Sequence, residues 1–273
     1  MLPQLLKPII RKSLNVFGFE VHRSGSRSSL TGVLRSCKNV GLSPETIIDV
    51  GAAYGSFALQ CYNIFPDTKY ILIEPLEEYR PFLETVTRSI PSAEFILAAA
   101  GAEPGEITIN VHPDLVGSSL YLEDEDSNVN GVPRTVPAVT LDCLVKDGKL
   151  KAPFLIKIDV QGAELDVLLG AEETVRDTEY IILEVSLFEF FKSGPQFYDV
   201  VTFMKSRGFV AYDICGLQYR PLDNALSQVD MAFVKETGLF RKHHYYATPR
   251  QREEQNRGFA LSTRELLKRY KLK

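Results

Sequence analysis

Two acidic residues stand where short apolar segments end, and a turn bounded by glycines follows the first of them. Asp49 lies in the apolar residues 47–50, two positions before Gly51, and the turn continues to Gly55. Glu74 ends a second apolar segment, 23 residues after Gly51. Nucleotide-binding α/β folds place an acidic side chain at about this distance, where it binds ribose hydroxyls. The spacing predicts a nucleoside site, and Asp49 offers a partner for a cationic amino group on the same ligand.

The glycine spacing restricts the class of ligand. The turn has the form G-x-x-x-G and lacks the G-x-G-x-x-G of dinucleotide-binding proteins, which disfavours a dinucleotide oxidoreductase. Two simpler interpretations stay open: Gly51 and Gly55 only form a tight turn between strand and helix, and Glu74 is an acid favoured at a helix start. Two acids at the ends of two neighbouring strands favour ligand binding over both.

Seven strand-length apolar segments alternate with helical segments through the middle of the chain. Strands are predicted at residues 47–50, 70–73, 95–99, 154–158, 180–185, 209–214 and 230–234. Helices are predicted at residues 56–65, 79–89, 164–174 and 195–207. Most strands are continuously apolar, as expected when helices cover both faces of a sheet. The order predicts a doubly wound α/β fold with a mostly parallel sheet, and the turn-rich link before the last strand predicts an antiparallel pair.

Composition divides the chain into three predicted parts. Residues 44–235 hold the strands and form the predicted catalytic domain, within which residues 104–140 read as a β-rich insertion or lid. Residues 1–43 are a basic, partly helical extension with a net charge of +6, and residues 236–273 are a basic C-terminal extension. Because the whole chain carries −4, its body is acidic and poorly suited to nucleic acid. We therefore expect no nucleic-acid partner.

The cysteine content and the N-terminal stretch bear on cellular location. Four cysteines stand far apart without a C-x-x-C pair, namely Cys37, Cys61, Cys143 and Cys215. That spacing indicates neither a zinc motif nor a disulfide framework, and is typical of the reducing cytoplasm, where we expect the protein. Residues 5–17 form an amphipathic helical pattern. We expect this helix to pack on the domain or on a second subunit of a homo-oligomer, with peripheral contact to a membrane surface as the alternative.

Three motifs together carry a specific resemblance. They are D-V-G-A-x-x-G at residues 49–55, I-E-P at 73–75 and K-I-D-V-x-G-x-E-x-x-V-L-x-G at 157–170. With the G-x-S-L at residues 117–120, they resemble the FkbM-type family of class I S-adenosylmethionine-dependent methyltransferases. The resemblance implies a Rossmann-like fold with a seven-stranded, mostly parallel sheet, an antiparallel last strand and helices on both faces. It implies S-adenosyl-L-methionine as the cofactor and methylation of a hydroxyl on a sugar, glycan or natural product.

The resemblance also implies which residues bind the cofactor. Those residues are Asp49, Gly51, Ala52, Tyr54, Gly55, Ser56, Glu74, Pro75, Ala99, Ala100 and Asp159. In this assignment Asp49 and the glycines surround the methionine moiety, Glu74 holds the ribose, and Asp159 lies beside the reacting methyl group. Where the family usually has glutamate this chain has Gln161, which puts a catalytic role for that position in doubt.

Removal of the acceptor proton requires a base or a metal ion. Asp159 is the first candidate base, Glu184 the second, and His112 in the predicted lid the third. A lone histidine in a loop is alternatively structural. The predicted acceptor contacts are Ser118, Ser119, Gln161 and Glu164.

Glu164 has a second interpretation as a first-turn helix acid, and a divalent metal is not indicated by any ligand spacing. Two other functions stay open, which are N-methylation of a peptide or amine and a non-catalytic scaffold that binds S-adenosylmethionine.

Overall fold

The computed structural model describes residues 27–123, 129–146 and 150–270. Its ten strands are β1 (Thr46–Val50), β2 (Lys69–Glu74), β3 (Ala93–Leu97), β4 (Ala99–Ala100), β5 (Gly105–Val111), β6 (Val132–Val139), β7 (Phe154–Ile158), β8 (Thr178–Ser186), β9 (Phe209–Tyr219) and β10 (Leu226–Lys235). Its α-helices are α1 (Leu30–Val40), α2 (Ser56–Tyr62), α3 (Arg80–Ser89), α4 (Leu141–Lys146), α5 (Glu164–Leu169), α6 (Glu172–Arg176), α7 (Phe197–Ser206) and α8 (Pro249–Arg269).

Seven strands form the central sheet in the order β3-β2-β1-β7-β8-β10-β9. Strands β3, β2, β1, β7 and β8 pair in parallel, whereas β10 runs antiparallel to both β8 and β9. Parallel neighbours need a crossover, which α2, α3 and the α5–α6 pair supply, while a short turn suffices between β9 and β10. The predicted fold class, with its antiparallel last strand, is confirmed.

Helices cover both faces of the sheet. On one face α1, α2 and α3 pack against side chains such as Ile47 and Leu155, and on the other α4 to α7 pack against side chains such as Ile48 and Ile156. Every residue of β1 and β7 is buried, because both of their faces are covered. This double burial explains why the sequence shows continuous apolar runs at these strands and no alternation.

Most predicted elements differ from the structure by a few residues at their ends, and two of the differences have an evident cause. The helix predicted at residues 164–174 is divided into α5 and α6 at Gly170, where a Cβ atom would lie 2.1 Å from the carbonyl oxygen of Gly101. The strand predicted at residues 95–99 ends at Leu97, and Ala99–Ala100 turns away to join a second sheet. Both differences arise where the chain is in close contact with another segment, which periodicity cannot register.

The second sheet has three strands in the order β4-β6-β5. Its antiparallel pair, β5 and β6, falls within the stretch predicted as β-rich, and the lid role of that stretch stays a prediction. Helix α8 buries none of its residues, and its N-terminus is capped by Thr248. The predicted N-terminal amphipathic helix, residues 5–17, lies outside the described residues. Within the described ranges, no helix combines the length and apolarity needed to cross a bilayer.

Candidate active site

A pocket of about 390 Å³ opens at the carboxyl ends of the parallel strands. It lies where the strand order reverses between β1 and β7, which is the usual ligand position in open α/β sheets. Gly51 and Ala53 line it after β1, Pro75 and Leu76 after β2, and Asp159 after β7. Its volume falls in the range of small-molecule sites.

The glycines of the first turn are required by contacts within the protein. Gly51 has a φ of +74°, and a Cβ atom there would lie 1.8 Å from the carbonyl oxygen of Asp159. Gly55 has a φ of +70°, and a Cβ atom there would lie 2.7 Å from a methyl carbon of Val86 on α3. The turn after β1 therefore sits directly against the end of β7, which holds Asp159 at the pocket.

This contact yields a prediction for stability. We expect Gly51→Ala to lower the free energy of unfolding by about 2–4 kcal/mol, because the added methyl group both strains a left-handed backbone and separates β1 from β7. Urea unfolding followed by circular dichroism measures the change. The control is Gly258→Ala in α8, where nothing lies within 4 Å of the added atom. A Gly51→Ala protein as stable as the control would contradict the contact.

Glu74 is fixed in the pocket wall by backbone amides. The Ala53 N–H donates to its Oε2 and the Leu76 N–H donates to its Oε1, each over 2.9 Å. The side chain is 4% exposed, and this burial raises the pKa of Glu74 to about 7. Each carboxylate oxygen retains a lone pair for a further donor, so two ribose hydroxyls are suitable partners.

Asp49 does not line the pocket and lies inside β1, opposite Lys157 of β7. It is 2% exposed, its Oδ2 has no hydrogen-bond partner among the described residues, and burial raises its pKa to about 6. The buried Lys157 ammonium lies close enough to favour the charged form. Asp49 is thus part of a buried charge cluster behind the turn, and its predicted contact with the cofactor stays a prediction.

A chain of polar side chains joins the ends of β7 and β8. The Lys157 ammonium donates to Asp159 Oδ2 over 2.6 Å, and the Gln161 amide donates to Asp159 Oδ1 over 3.1 Å. The same amide nitrogen donates to Glu184 Oε2 over 2.8 Å. Gln161 has a φ of +54°, a left-handed conformation that directs its side chain between the two acids. A neutral amide at this position therefore separates two carboxylates without adding a third charge.

Glu184 receives two further amide donors, from the β9–β10 hairpin. Gln218 donates to Oε1 over 2.8 Å and Gln228 donates to Oε2 over 2.9 Å. The side chain is 6% exposed, and burial, followed by the charge of Asp159, raises the pKa of Glu184 well above its usual value. A buried carboxylate with a raised pKa is more basic than an exposed one, which suits it to accept a proton from a hydroxyl.

Most of the predicted site residues line the pocket. These are Gly51, Glu74, Pro75, Ala99, Ala100, Ser118, Ser119, Asp159, Gln161 and Glu184. The hydroxyls of the two serines are engaged within the protein, since Ser118 accepts from the His112 N–H over 3.0 Å and Ser119 donates to the Gln161 carbonyl over 2.5 Å. The second bond ties the predicted lid to the turn that carries Asp159.

The other predicted site residues lie outside the pocket lining, and several have evident structural contacts. These residues are Asp49, Ala52, Tyr54, Gly55, Ser56, His112 and Glu164. Tyr54 packs edge-on against Tyr79 and Phe82, with ring centroids 4.9 Å apart in both pairs. Glu164 Oε1 accepts hydrogen bonds from the backbone N–H groups of Val160 and Gly162, over 3.2 and 3.1 Å. These two bonds stabilise the turn after β7.

His112 lies within the predicted lid, and its side chain is buried. Its side chain is 5% exposed, its Nδ1 lies 3.8 Å from Glu123 Oε1, and its Nε2 has no partner within the described part of the chain. Its imidazole packs against Gly117, where a Cβ atom would lie 2.7 Å from Nδ1. The ring therefore helps to shape the loop that lines the pocket, and its proposed role as a base stays a prediction.

Comparison with known proteins agrees with this geometry. The family model described as "Methyltransferase FkbM domain" matches residues 49–211. That match includes the turn after β1, the pocket acids and the whole of β7 and β8. The chain belongs to the FkbM methyltransferase family. It is therefore an enzyme, an S-adenosylmethionine-dependent methyltransferase, as the motifs predicted.

Individual relatives of this family member are distant. "Methyltransferase 1" of Beauveria bassiana is 25% identical over 193 residues, which cover 63% of this chain and 76% of that protein. "Hexuronic acid methyltransferase AglP" of Haloferax volcanii is 24% identical over 149 residues, covering 52% and 56% respectively. The crystal structure of "Methyltransferase FkbM" from Methylobacillus flagellatus is 16% identical with a TM-score of 0.48, and covers 77% of this chain and 48% of that one.

Four residues at or behind the pocket of this methyltransferase have polar groups that were not predicted to belong to the site. Gln218 and Gln228 donate to Glu184, and the buried Tyr79 hydroxyl in the pocket wall has no partner among the described residues. The fourth, Lys157, lies behind the pocket lining and donates to Asp159. Lys157 alone left a sequence signal, as a charged residue inside an apolar strand. In the described ranges, no group of three or more histidine, cysteine, aspartate or glutamate side chains is arranged to hold a metal ion.

Proposed function

We propose that this enzyme methylates a hydroxyl oxygen of a sugar or hydroxylated natural product, with Glu184 as the base. The observation that carries the proposal is the buried Glu184 carboxylate at one end of the pocket, three strands away from Glu74. Strands in a sheet lie about 4.8 Å apart, so the two acids are separated by roughly 14 Å across the sheet. A nucleoside held at Glu74 thus leaves room for its reacting end near Glu184.

The pocket fits S-adenosylmethionine on three counts. Glu74 presents two acceptor atoms for the ribose hydroxyls, Ala99 and Ala100 give a small apolar border for the adenine, and Asp159 supplies negative charge near the sulfonium. The unpartnered hydroxyl of Tyr79 is a further polar contact in the same wall. When bound, the cofactor supplies an activated methyl group, so the protein mainly has to align the acceptor and remove its proton.

Glu184 is better placed than Asp159 to take that proton. Asp159 is ion-paired to the ammonium of Lys157, which is 7% exposed. Protonating Asp159 would leave a buried cation without its partner, which is strongly unfavourable. Glu184 is held only by neutral amides of glutamine among the described residues, so it accepts a proton without breaking an ion pair. We therefore assign Asp159 to electrostatic positioning and Glu184 to proton removal.

In this mechanism the acceptor hydroxyl donates its hydrogen bond to a Glu184 oxygen. As the acceptor oxygen forms its bond to the methyl carbon, the hydroxyl proton passes to the Glu184 carboxylate. The products are S-adenosylhomocysteine and the methyl ether of the acceptor. General-base assistance of this kind contributes about 10²–10⁴ in rate. Gln161 keeps Asp159 and Glu184 in a fixed relation throughout.

Calorimetric titration with S-adenosylhomocysteine, followed by assay with a methyl-labelled donor, tests the proposal. We expect saturable binding to the wild-type protein and a labelled methyl group on oxygen, located by mass spectrometry, for hydroxylated acceptors. Folded wild-type protein that takes up no S-adenosylhomocysteine would refute the cofactor site. A labelled methyl group found on the nitrogen of peptide or amine acceptors would replace O-methylation with the N-methyltransferase alternative.

A further inference from the structure

A second cavity, of about 680 Å³, adjoins the pocket described above, which is called the donor pocket because it is assigned to the methyl donor. It lies between the β9–β10 hairpin and the loop that follows β8. Gln161, Gln218 and Gln228 line both cavities, and all three donate to Glu184 at the boundary. Glu184 itself lines the donor pocket and not the second cavity, so a ligand in the second cavity approaches its carboxylate past these three amides.

The three glutamines present a defined set of acceptors at this boundary. Each of their amide nitrogens is turned toward Glu184, and no described residue donates a hydrogen bond to any of their side-chain oxygens. Three uncharged acceptors at one junction suit a ligand that carries several hydroxyl donors. The hydroxyls of such a ligand would also donate to the glutamine oxygens, which would otherwise lose their contact with water when the ligand enters.

One wall of the second cavity is apolar and open. Phe190 and Phe191 form its inner part, and Tyr219 and Leu222 are exposed by 55% and 83% on the hairpin. The face of an aromatic ring carries partial negative charge, so it packs favourably against the C–H face of a sugar ring. An aromatic wall opposite a row of amides thus matches the two kinds of surface on a pyranose.

The charge of the lining selects against anionic ligands. The carboxylate of Glu189 lines the cavity, and Arg220 is the one basic side chain among the described residues that do so. Asp223 binds one edge of its guanidinium, through Nε over 2.8 Å and Nη2 over 2.6 Å. A carboxylate or phosphate on the ligand would therefore face the Glu189 carboxylate, while the cation of the lining is already ion-paired.

We propose that this second cavity is the acceptor site and that it takes a neutral sugar ring, with the hydroxyl to be methylated directed at Glu184. The inference rests on the proposed O-methyltransferase function. It places the acceptor on the hairpin side. The sequence predicted acceptor contacts at Ser118, Ser119, Gln161 and Glu164, and of these Gln161 lines this cavity.

A matched series of methyl glycosides tests the class of acceptor. Methyl β-glucoside and its 6-carboxylate (the glucuronide) differ in charge and little in shape, and the galactose and mannose series give three stereochemistries. Binding is measured by saturation-transfer NMR with wild-type protein saturated with S-adenosylhomocysteine. We expect a neutral glycoside to bind about tenfold more tightly than its carboxylate counterpart. Stronger binding of a carboxylate, or no binding by any neutral glycoside, would overturn the proposal.

Two variants test the location. Tyr219→Ala should weaken binding of the neutral glycoside about tenfold and leave the affinity for S-adenosylhomocysteine unchanged. The control is Tyr198→Ala, on α7, whose side chain is 63% exposed and lines neither cavity. Glu189→Gln should strengthen binding of the glucuronide relative to that of the neutral glycoside. Glycoside binding that is equal in Tyr219→Ala and Tyr198→Ala would place the acceptor elsewhere.

The two proposals fail in different ways. Wild-type protein that binds no S-adenosylhomocysteine yet binds neutral glycosides in a Tyr219-dependent manner would refute the methyltransferase site while supporting the cavity. Wild-type protein that binds S-adenosylhomocysteine and shows no Tyr219-dependent glycoside binding would refute the acceptor site alone.

Discussion

Replacing Glu184 with glutamine is expected to slow methyl transfer about 10²–10⁴-fold while the affinity for S-adenosylhomocysteine changes little. The substitution keeps the shape of the side chain and removes the atom that accepts the proton. The donor pocket reaches Glu184 only at the end that faces the hairpin glutamines, so binding of the nucleoside is preserved. Steady-state kinetics with a methyl-labelled donor and calorimetry on the same preparation measure both quantities.

The pH profile distinguishes loss of a base from loss of structure. Burial raises the pKa of Glu184, and only its deprotonated form can accept a proton. The kcat of the wild-type enzyme should therefore rise with pH through that raised pKa and fall on the acid side, whereas the residual rate of Glu184→Gln should lack this step. The control is Glu179→Gln, a partly exposed glutamate at the other end of the same strand, paired with Lys235. An unchanged kcat in folded Glu184→Gln would exclude Glu184 as the base.

The second large effect is expected at Glu74. Glu74→Gln removes a charged acceptor of hydroxyl hydrogen bonds, each worth about 1.5–3 kcal/mol, so the affinity for S-adenosylhomocysteine should fall roughly ten- to a hundredfold. The introduced amide group also faces the N–H of Ala53 or Leu76, donor against donor, which adds to the loss. Calorimetry measures the dissociation constant, and thermal unfolding checks that the variant is folded.

Glu74 also predicts how cofactor affinity depends on pH. Burial raises its pKa to about 7, and the protonated carboxyl offers the ribose one acceptor fewer. Affinity should therefore rise as pH increases through about 7, and the dependence should disappear in Glu74→Gln. Glu94→Gln on the neighbouring β3 removes an exposed carboxylate that pairs with Lys69, and should leave affinity unchanged. Equal affinities for wild-type protein and Glu74→Gln would remove Glu74 from the ribose site.

The sequence by itself was sufficient for the fold class and for placing two acids in one pocket. Because β1, β2 and β7 are covered on both faces, their residues form largely apolar runs that can be recognised without tertiary information. The carboxyl ends of parallel strands meet at one edge of the sheet, so acids that end such runs, Glu74 and Asp159, are predicted to share a pocket, and both line it.

Only the tertiary structure decided how the individual acids are used. Asp49 and Glu74 look similar in the sequence, yet Asp49 is buried near Lys157 and does not line the pocket, whereas Glu74 does. Asp49 lies inside β1, while Glu74 is the last residue of β2 and its carboxylate is held by the N–H groups of Ala53 and Leu76.

The glutamines that donate to Glu184 could not be predicted from the sequence either. Gln218 and Gln228 lie 34 and 44 positions from Glu184 and reach it because β10 is inserted between β8 and β9. Local periodicity reports which residues are buried, but it carries no information about which distant strands become neighbours. The part of the pocket assigned to the methyl donor is built from adjacent βα turns, so its acids could be predicted from local sequence. The part assigned to the acceptor depends on strand order, so it could be identified only in the folded chain.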